Sequence, residues 1–555
     1  MENGFSCLLS RFFHVSHISH NDSGFLSKIG FLERKHDCDP LVTGLEYDSR
    51  AVAKGNLYFA LPGLRTDGHR FIPQAVERGA SVIVHQDDID RYAEGVVYIK
   101  VQDSRFAMSG IADSFYGSPS KKLAVIGVTG TEGKSTTVYL IWQMLRLCGR
   151  KAGFISTVQY CTASNAEWNP EHQTTPEAPV IHKRLAEMLN NGIEYAVLES
   201  SSHGLSPKTN RLGDVAFDAG IMTTVAHEHL EFHGTWEQYR DDKARLFRAL
   251  GKDSHSGAVP VTVPVFGVVN GDDKSAPYFA SVTRKPVFSY AEGTEGADLR
   301  LLRIESAADG NEYDIVDTHA NGVIHIKDHL PGAFNAKNVM ASLLCVSHLL
   351  SIPVAELASL VPALKPVRGR MTAVRKGQPF EALVDYAHTP SSFETIFPPL
   401  RERLDKARLN KAGGRIISVF GSAGDRDTQK RPEQGRIAAR YSDIIVLTDE
   451  DPRSEAPLSI LEEIAAGVHA AAEDGAGGLC RNAGVEGKDL FLIPDRPSAI
   501  RKAFSLARDG DVVLLLGKGH ENSIIYAHET RPFDEITEAE KALEEGGYAR
   551  DIPAP

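Results

Sequence analysis

The stretch LAVIGVTGTEGKSTTVYL, which begins at Leu123, constrains the fold of this chain more than any other. Its first six residues are apolar and rich in β-branched side chains, as in a buried parallel strand, and the residues from Ser135 onward have apolar side chains at helical spacing. Between these segments, Gly130 and Gly133 let backbone N–H groups turn toward a phosphate, and Lys134 supplies a positive charge. A strand, a glycine loop and a helix in this order predict a nucleotide-binding α/β sheet.

The loop is one glycine short of the general phosphate-binding pattern G-x-x-x-x-G-K-[ST], because Val128 stands where the first glycine would be. It fits the compact form G-T-x-G-K-[ST] instead. We expect ATP or GTP as the ligand, with the Ser135 hydroxyl bound to Mg²⁺. The residues predicted to contact the nucleotide in this loop are Gly130, Thr131, Glu132, Gly133, Lys134, Ser135 and Thr136.

With 555 residues, the chain is too long for a single hydrophobic core and predicts two to four domains. Residues 1–120 carry short β-type runs around a helix-like segment. Strands and helices alternate over residues 121–366, starting with the glycine loop, and alternate again over residues 367–555. This alternation is typical of mainly parallel sheets covered by helices, so we predict α/β domains with these boundaries.

The formal net charge is −12 and the chain has no long basic run, so nucleic acid is not an expected partner. No run of 18 apolar residues and no typical signal peptide occurs, and the six cysteines include no C-x-x-C pair. We therefore expect a cytoplasmic protein without membrane insertion and with reduced cysteines. We also expect a monomer.

Four loops of the last segment follow predicted strands and begin near Asp385, Gly421, Asp449 and Gly517. In open α/β sheets, ligands bind outside the carboxyl ends of the strands. We therefore expect these four loops to converge on one site.

Two further polar positions follow strands in the central segment. Glu199, in LESSSH, is placed where a carboxylate could meet a cation held by Ser135, and His229 lies in the histidine-rich run HEHLEFH. Hard oxygen ligands with one imidazole suit Mg²⁺ or Mn²⁺ better than zinc. A histidine-rich run is also typical of a solvated loop, and only its position beside the phosphate loop favours metal binding.

A set of motifs extends over nearly the whole chain, from Asp48 to Phe533. In order, they are GTEGKS, ESSSH, HEHLEFHGT, PGAFNAKN, GRM, DYAHTP, GSAGDRD, DEDPRSE and GKGHE. With these motifs the sequence resembles the Mur ligases, whose phosphate loop has the compact form, and is most similar to the branch that adds the third residue of the peptidoglycan stem peptide. The resemblance implies three α/β domains: a UDP-sugar-binding domain (1–120), an ATP-binding domain with a phosphate loop and parallel sheet (121–366), and a Rossmann-like amino-acid-binding domain (367–555).

The resemblance also implies the chemistry. ATP would phosphorylate the carboxylate of UDP-N-acetylmuramoyl-L-alanyl-D-glutamate, and the amine of a diamino acid would attack the resulting acyl phosphate. A free carboxylate is a poor electrophile, and phosphorylation supplies its leaving group. The implied catalytic residues are Lys134, Glu199, His229 and Lys243, and the implied Mg²⁺ ligands are Ser135, Glu199, His229 and carbamylated Lys243.

Lys243 is an unusual ligand, because an ammonium group cannot bind Mg²⁺. Carbamylation by CO₂ would replace its positive charge with a negative one, but it requires the neutral amine, which is only about one molecule in a thousand at the ordinary lysine pKa. The alternative is a surface lysine paired with Asp241 or Asp242.

The remaining implied contacts fall into three groups. Nucleotide contacts beyond the loop are Asn338, Arg370 and Asp385, and contacts to the UDP-sugar peptide are Ser49, Thr174, Thr175, Ser201 and Arg211. The amino-acid contacts are Arg431, Glu450, Asp451, Pro452, Arg453, Gly517 and Glu521.

The identity of the diamino acid stays open. Arg453 offers a planar fork for a distal carboxylate, as in meso-diaminopimelate. Asp451 stands where the diaminopimelate-using form of the family has Asn, and its charge favours a bare ammonium, as in lysine or ornithine. Arg431 is a second expected fork for a carboxylate, and Gly517 and Glu521 are expected to receive the far amine.

Two other functions are compatible with parts of the sequence. One is a folylpolyglutamate synthase-like ligase, which would share the fold and the acyl-phosphate chemistry but lacks the UDP-sugar domain. The other is a non-catalytic nucleotide-binding scaffold.

Overall fold

The structure is a computed structural model, and it describes residues 5–13, 23–63, 66–171, 173–226, 230–251, 263–307, 310–320, 322–409, 414–473 and 487–548. Over these ranges the chain forms three large sheets with helices packed against them. None of the helices in the described ranges is long and apolar enough to cross a bilayer.

The first sheet has five strands in the order β2-β7-β6-β5-β4, with β4 to β7 parallel and β2 antiparallel at the edge. The strands of this region are β1 (Cys7–Leu8), β2 (Phe31–Lys35), β3 (Leu41–Val42), β4 (Leu45–Glu46), β5 (Leu57–Phe59), β6 (Val82–His85) and β7 (Val97–Val101). The helices are α1 (Leu9–Phe13), α2 (Ser23–Lys28), α3 (Ile72–Glu77) and α4 (Ser104–Phe115).

The central sheet has eleven strands in the order β11-β10-β9-β12-β8-β13-β14-β15-β16-β17-β18. Its strands are β8 (Ala124–Thr129), β9 (Ala152–Ile155), β10 (Gln159–Cys161), β11 (Glu167–Trp168), β12 (Tyr195–Glu199), β13 (Ala219–Met222), β14 (Phe266–Asn270), β15 (Val287–Ala291), β16 (Leu299–Ala307), β17 (Gly310–Asp317) and β18 (Gly322–Lys327). The helices are α5 (Lys134–Leu147), α6 (Ala178–Asn190), α7 (Ser202–Leu205), α8 (Leu230–His233), α9 (Trp236–Ala249), α10 (Ala276–Ser281), α11 (Phe334–Leu350) and α12 (Val354–Ala358).

The middle of this sheet is parallel, from β9 to β16, as the strand-helix alternation predicts. Antiparallel strands extend it at both edges, through β10–β11 and through β17–β18, and these additions were not predicted. The strands from β16 to β18 mix buried with exposed side chains, which is typical of antiparallel sheets with one solvated face.

The third sheet has the order β19-β20-β24-β21-β22-β23, with β20 to β23 parallel and β19 antiparallel. Its strands are β19 (Thr372–Val374), β20 (Glu381–Asp385), β21 (Ile416–Phe420), β22 (Ile444–Leu447), β23 (Leu490–Leu492) and β24 (Val512–Leu516). The strands β25 (Ser523–Ile525) and β26 (Thr530–Pro532) form a separate antiparallel hairpin. The helices are α13 (Pro390–Leu409), α14 (Lys430–Tyr441), α15 (Pro457–Glu473), α16 (Arg496–Leu506) and α17 (Glu535–Glu545).

Both faces of the third sheet are covered, because alternate residues of its strands belong to two different cores. Leu383 packs in the core of α13, α14 and α15, whereas its neighbour Val384 packs in the core of α16 and α17. The carboxyl ends of β20, β21, β22 and β24 lie at one edge of this parallel sheet, so the four loops expected to converge do start together. The predicted domain boundaries near residues 120 and 366 lie between the three sheets and stay predictions.

Candidate active site

The phosphate loop joins the buried strand β8 to helix α5, which begins at Lys134, one residue before the predicted start. Gly133 has a φ of 82°, and a Cβ atom there would lie 2.6 Å from Asn338 Oδ1. A Cβ atom on Gly130 would lie 1.8 Å from Thr223 Oγ1. Both glycines are therefore required by close neighbours, and this keeps the loop narrow with its backbone accessible to a phosphate.

Two threonines at the end of β13 support this loop. The Thr224 carbonyl accepts from the Thr131 N–H at 2.7 Å, and the Thr224 hydroxyl accepts from the Glu132 N–H at 3.1 Å. The Thr223 hydroxyl donates to the Glu132 carbonyl. Sequence reasoning missed these supports, although β13 adjoins β8 in the sheet and its end could have indicated them.

Ser135 and Glu199 meet at the base of the loop. Ser135 Oγ donates to Glu199 Oε1 at 3.0 Å, and the second carboxylate oxygen accepts from the Thr157 N–H at 2.8 Å. Glu199 is only 3% exposed. A hydroxyl oxygen beside a carboxylate oxygen is the kind of hard donor set that fits Mg²⁺. The predicted ligand His229 lies outside the described residues.

The side chain of Lys134 bonds to its own loop. Its ammonium group donates to the Thr131 carbonyl at 2.7 Å. Lys134 is half-buried. In this position the charge lies beside the loop backbone, where a phosphate would bind.

Lys243 lies against the same loop from helix α9. It is 2% exposed, its ammonium donates to the Gly130 carbonyl at 2.6 Å, and the nitrogen lies 4.4 Å from the ring centroid of Tyr239. The Tyr239 hydroxyl lies 2.9 Å from Thr131 Oγ1. The alternative that Lys243 is a surface lysine is therefore wrong.

The two aspartates considered as its surface partners have other bonds. Asp241 pairs with Arg248, and Asp242 lies 2.7 Å from His233 Nδ1.

Arg370 reaches the loop from the third sheet. Its Nη2 donates to Ser135 Oγ at 3.4 Å, and its guanidinium lies 4.8 Å from the ring centroid of Tyr386. Asp385 supports this segment, because its two oxygens each accept a backbone N–H at 2.7 Å, from Met371 and Ala387. Burial raises the pKa of Asp385 above its ordinary value.

A small cavity of about 30 Å³ lies between the central and third sheets. Pro331, Phe334, Met371 and Leu383 are among the residues that line it. Phe334 begins helix α11 and is one turn before Asn338, so the cavity is next to the predicted nucleotide contact. In this conformation the space is far smaller than an adenine ring, so it does not by itself mark the nucleotide site.

Three residues predicted to contact the muramoyl peptide are grouped behind Glu199. The Thr175 hydroxyl donates to the Glu199 carbonyl at 2.8 Å and accepts from the Ser201 N–H at 3.0 Å. Arg211 donates to the Thr175 carbonyl at 2.9 Å and to Glu177 at 3.0 Å. Thr174 is half-buried beside Thr175.

Ser49 lies in the first sheet region, where its hydroxyl donates to Gln74 Oε1 at 2.7 Å. Tyr47, two residues before it, is within electrostatic range of Glu177 and Arg211. Burial, together with Glu177 and other nearby carboxylates, raises the pKa of Tyr47 to about 12. Tyr47 thus lies near the Arg211 cluster, whereas Ser49 itself bonds within the first sheet region.

In the third sheet, the DEDPR loop follows β22. Asp451 Oδ1 accepts from Lys518 Nζ and from the Ile525 N–H, both at 2.9 Å. Arg453 has a φ of 54°, and its N–H donates to the Ile525 carbonyl at 2.9 Å. Pro452 is buried between them. Lys518 was not predicted, although it lies between the predicted residues Gly517 and Glu521.

Among the acidic residues of this loop, Glu450 has the carboxylate with the fewest hydrogen bonds. It is 7% exposed, and its Oε2 has no hydrogen-bond partner among the described residues. This oxygen lies beside Gly517, where an added Cβ atom would be 3.2 Å from it. Burial raises the pKa of Glu450 above its ordinary value.

Two residues predicted to contact the amino-acid substrate are bonded to other side chains of the protein. The Arg431 guanidinium is fully buried and donates to Glu455 at 2.8 and 2.9 Å and to Glu463 at 3.0 Å. Glu521 accepts from Lys518 and from the Tyr386 hydroxyl. In this conformation Arg431 supports the DEDPR side of the site and offers no fork to a substrate, contrary to the expectation. The reason is that the neighbouring helix and loop supply carboxylates at bonding distance.

Comparisons with known proteins identify the family. A model of the Mur ligase family catalytic domain matches residues 41–116, one of the Mur ligase middle domain matches residues 128–346, and one of the Mur ligase glutamate ligase domain matches residues 369–519. A UDP-N-acetylmuramyl-tripeptide synthetase of Treponema denticola is 49% identical, covering 91% of this chain and 94% of the relative. A UDP-N-acetylmuramoyl-L-alanyl-D-glutamate–2,6-diaminopimelate ligase of Geobacillus kaustophilus is 36% identical, covering 92% and 97%.

Solved structures share the fold. A UDP-N-acetylmuramoyl-L-alanyl-D-glutamate–2,6-diaminopimelate ligase gives a TM-score of 0.57 at 24% identity, covering 92% of this chain and 96% of that structure. A folylpolyglutamate synthase of Mycobacterium tuberculosis gives 0.54 at 15% identity, covering 80% and 95%. At these identities the likeness concerns the fold alone. Because the family models match all three regions and a relative is 49% identical over 91% of the sequence, the chain belongs to the Mur ligase family.

Proposed function

We propose that this protein is an ATP-dependent ligase that joins a diamino acid to UDP-N-acetylmuramoyl-L-alanyl-D-glutamate during peptidoglycan synthesis. The observation that carries the proposal is the cluster of Lys134, Ser135, Glu199 and Lys243 at one end of the central sheet. It occurs in a chain that is similar over nearly its whole length to enzymes named tripeptide synthetases. The UDP-sugar and ATP substrates fit a cytoplasmic enzyme, and we propose that it acts as a monomer.

ATP would bind with its phosphates on the glycine loop. The N–H groups at the start of α5 and the Lys134 ammonium would hold the terminal phosphates, and Lys134 would leave the Thr131 carbonyl to do so. Asn338, whose side chain lies against the loop beside Gly133 and Thr137, would contact the base and the ribose. Arg370 would contact the phosphates from the third sheet, since its guanidinium already reaches Ser135.

Ser135 and Glu199 have the donor set for Mg²⁺, and we propose His229 as a further ligand. Bound there, Mg²⁺ would neutralise charge that develops on the transferred phosphoryl group. The Thr157 N–H fixes the second oxygen of Glu199, so the carboxylate is oriented before any ligand binds.

We also propose that Lys243 is carbamylated. The ammonium would first lose a proton, and the neutral amine would then attack CO₂, forming a C–N bond and releasing a second proton. The buried cation would thereby become an anion. A buried lysine side chain against the loop is positioned to place that carbamate beside the phosphate site. The Tyr239 ring beside the side chain limits its movement.

The glutamate carboxylate of the substrate would lie on the Glu199 side of the loop. Thr175, Ser201 and Arg211 already bond to one another or to Glu199 there. Arg211 would exchange its bond with Glu177 for a carboxylate of the peptide, and Ser49 would contact the uridine end. The acyl phosphate would then form between this group and the γ-phosphate.

The diamino acid would approach from the third sheet. Glu450 has a buried carboxylate oxygen without a partner among the described residues, which suits the distal ammonium group. Arg453, whose Nη2 lies 4.0 Å from Asp451 Oδ2, would turn its fork toward a substrate carboxylate. Asp451 shares Lys518 with Glu521, so the ammonium offsets only part of the negative charge at this site. These contacts support a diamino acid and leave its identity open.

The test is ATP-dependent phosphate release with UDP-N-acetylmuramoyl-L-alanyl-D-glutamate and Mg²⁺. Meso-diaminopimelate, L-lysine and L-ornithine are supplied in separate reactions, and product masses are determined. One product with a mass increase of one diamino acid supports the proposal. Absence of product with all three, with normal ATP binding, would favour the scaffold, and glutamate addition to a folate would favour the other ligase. Lys134→Ala is the inactive control.

A further inference from the structure

A small hairpin, β25–β26, covers the DEDPR loop and has no assigned role. Its strand β25 is connected to that loop by two hydrogen bonds, from the Arg453 N–H to the Ile525 carbonyl and from the Ile525 N–H to Asp451 Oδ1, each 2.9 Å long. Tyr526 pairs with Arg453 as a parallel bridge. The hairpin therefore holds the loop by a backbone bond to Arg453 and a bond to the side chain of Asp451, on either side of Pro452.

Arg453 needs such support because its φ of 54° is in the left-handed region, which is unfavourable for residues other than glycine. Without the bond to Ile525, its backbone would relax toward the usual region and its side chain would point elsewhere. The position of the guanidinium therefore depends on the position of the hairpin.

The hairpin itself has few anchors. All three residues of β26 are exposed, and in β25 only Ile524 is buried. An isolated two-stranded hairpin is marginally stable in water. Besides the two bonds of Ile525, the hairpin has a polar anchor in the Tyr526 hydroxyl, which donates to Asp449 Oδ2 at 3.0 Å. Asp449 follows β22 and is 4% exposed, so this anchor is fixed to the sheet.

We propose that Tyr526 is a positioning residue for the amino-acid site: by bonding to Asp449 it holds the hairpin that keeps Arg453 in its substrate-binding conformation. The kinetic test of this inference rests on the proposed function, because it measures the KM for the diamino acid. Tyr526 acts through Arg453 and needs no contact with substrate.

The charges around Asp449 define the pH range of this bond. Burial raises the pKa of Asp449 to about 6, while the Tyr526 hydroxyl and the Arg496 and Arg531 guanidinium groups lower it and Asp495 raises it. Burial, with Asp449, raises the pKa of Tyr526 to about 12. Between these values a phenol donates to a carboxylate, which is a strong hydrogen bond. Below about pH 6 the carboxyl becomes neutral and the bond weakens.

The first test uses hydrogen exchange of the full-length protein without substrate. Tyr526→Phe should increase exchange about tenfold in peptides covering residues 450–456 and 522–532, the effect expected for loss of one charge-assisted hydrogen bond. Tyr98→Phe is the matched control, because the Tyr98 hydroxyl bonds to the Ala93 N–H in the first sheet. Unchanged exchange of residues 450–456 in Tyr526→Phe would overturn the inference, whether or not ligation is observed.

The second test is kinetic. Tyr526→Phe should raise the KM for the diamino acid about tenfold, with the KM for ATP within about twofold of the parent. For the parent, the KM for the diamino acid should rise as the pH falls through about 6, and Asp449→Asn should remove this dependence. Equal changes in both KM values would indicate a general folding defect and overturn the inference. Absence of ligation by the parent protein would refute the proposed function instead, and the exchange result would still decide the role of Tyr526.

Discussion

Ser135 Oγ and Glu199 Oε1 lie 3.0 Å apart although 64 residues separate them along the chain. The parallel pairing of β8 with β12 explains the contact, since Glu199 is opposite Val128 in the register. Both strands then end at the same edge of the sheet. A buried hydroxyl and carboxylate are held there before any nucleotide binds.

Replacing Glu199 with Gln should lower kcat for ligation about 100-fold or more, because the amide keeps the shape but loses the charge that suits a divalent cation. The measurement is phosphate release across a Mg²⁺ titration, with thermal unfolding to show that the variant folds. Glu402→Gln is the control, since Glu402 forms an exposed pair with Lys406. An activity within about twofold of the parent would contradict the proposed role of Glu199.

Lys243→Ala should abolish ligation, and a short carboxylic acid added to the assay should restore part of it by replacing the carbamate. Lys406→Ala, at an exposed site, should leave the rate unchanged. Carbon-13 NMR with labelled bicarbonate should show a carbamate signal in the parent and none in Lys243→Ala. Absence of both the signal and the rescue would refute carbamylation and leave Lys243 as a cation beside the loop.

Gly133→Ala and Gly149→Ala form a matched pair for the phosphate loop. Both glycines have positive φ, at 82° and 74°, but an added Cβ atom meets Asn338 only at Gly133 and has open space at Gly149. Both variants should lose about 1–2 kcal/mol of stability from the backbone conformation. Only Gly133→Ala should also weaken ATP binding, which isothermal titration calorimetry measures. Equal ATP affinity in the two variants would show that a Cβ atom placed against Asn338 does not disturb ATP binding.

Glu450→Gln should raise the KM for the diamino acid and increase stability near neutral pH. Burial raises the folded-state pKa of Glu450, so ionising this carboxyl costs stability as the pH rises from its unfolded pKa through its folded pKa. The amide removes that cost and also removes the charge that pairs with an ammonium group. The checks are unfolding at pH 5 and pH 8 and the KM for the amino acid that is used.

The control for this prediction is a substrate analogue. L-norleucine lacks the distal ammonium of L-lysine, and its binding to the parent and to Glu450→Gln should differ little. If Glu450→Gln weakens the binding of L-lysine and of L-norleucine equally, Glu450 does not recognise the ammonium group.

Local sequence patterns determined much of the fold and the family of this protein. The apolar run before Gly130 and the glycine loop predicted β8 and α5, because strand burial and phosphate-loop geometry depend on neighbouring residues. The apolar strands before Glu199, Asp385 and Asp449 predicted that these side chains would end strands of parallel sheets. The order of the motifs was sufficient to indicate the family, which the comparisons confirm.

Only the tertiary structure decided which charges are available to a substrate. Arg431 and Glu521 were plausible contacts by type and spacing, but the fold places a carboxylate beside the first and Lys518 beside the second. Lys243 could have been a surface lysine, and only the packing of α9 against the phosphate loop shows that it is buried. Charge pairing depends on groups that are distant in sequence and adjacent in space, so one sequence supplies the candidates and the packed structure decides their partners.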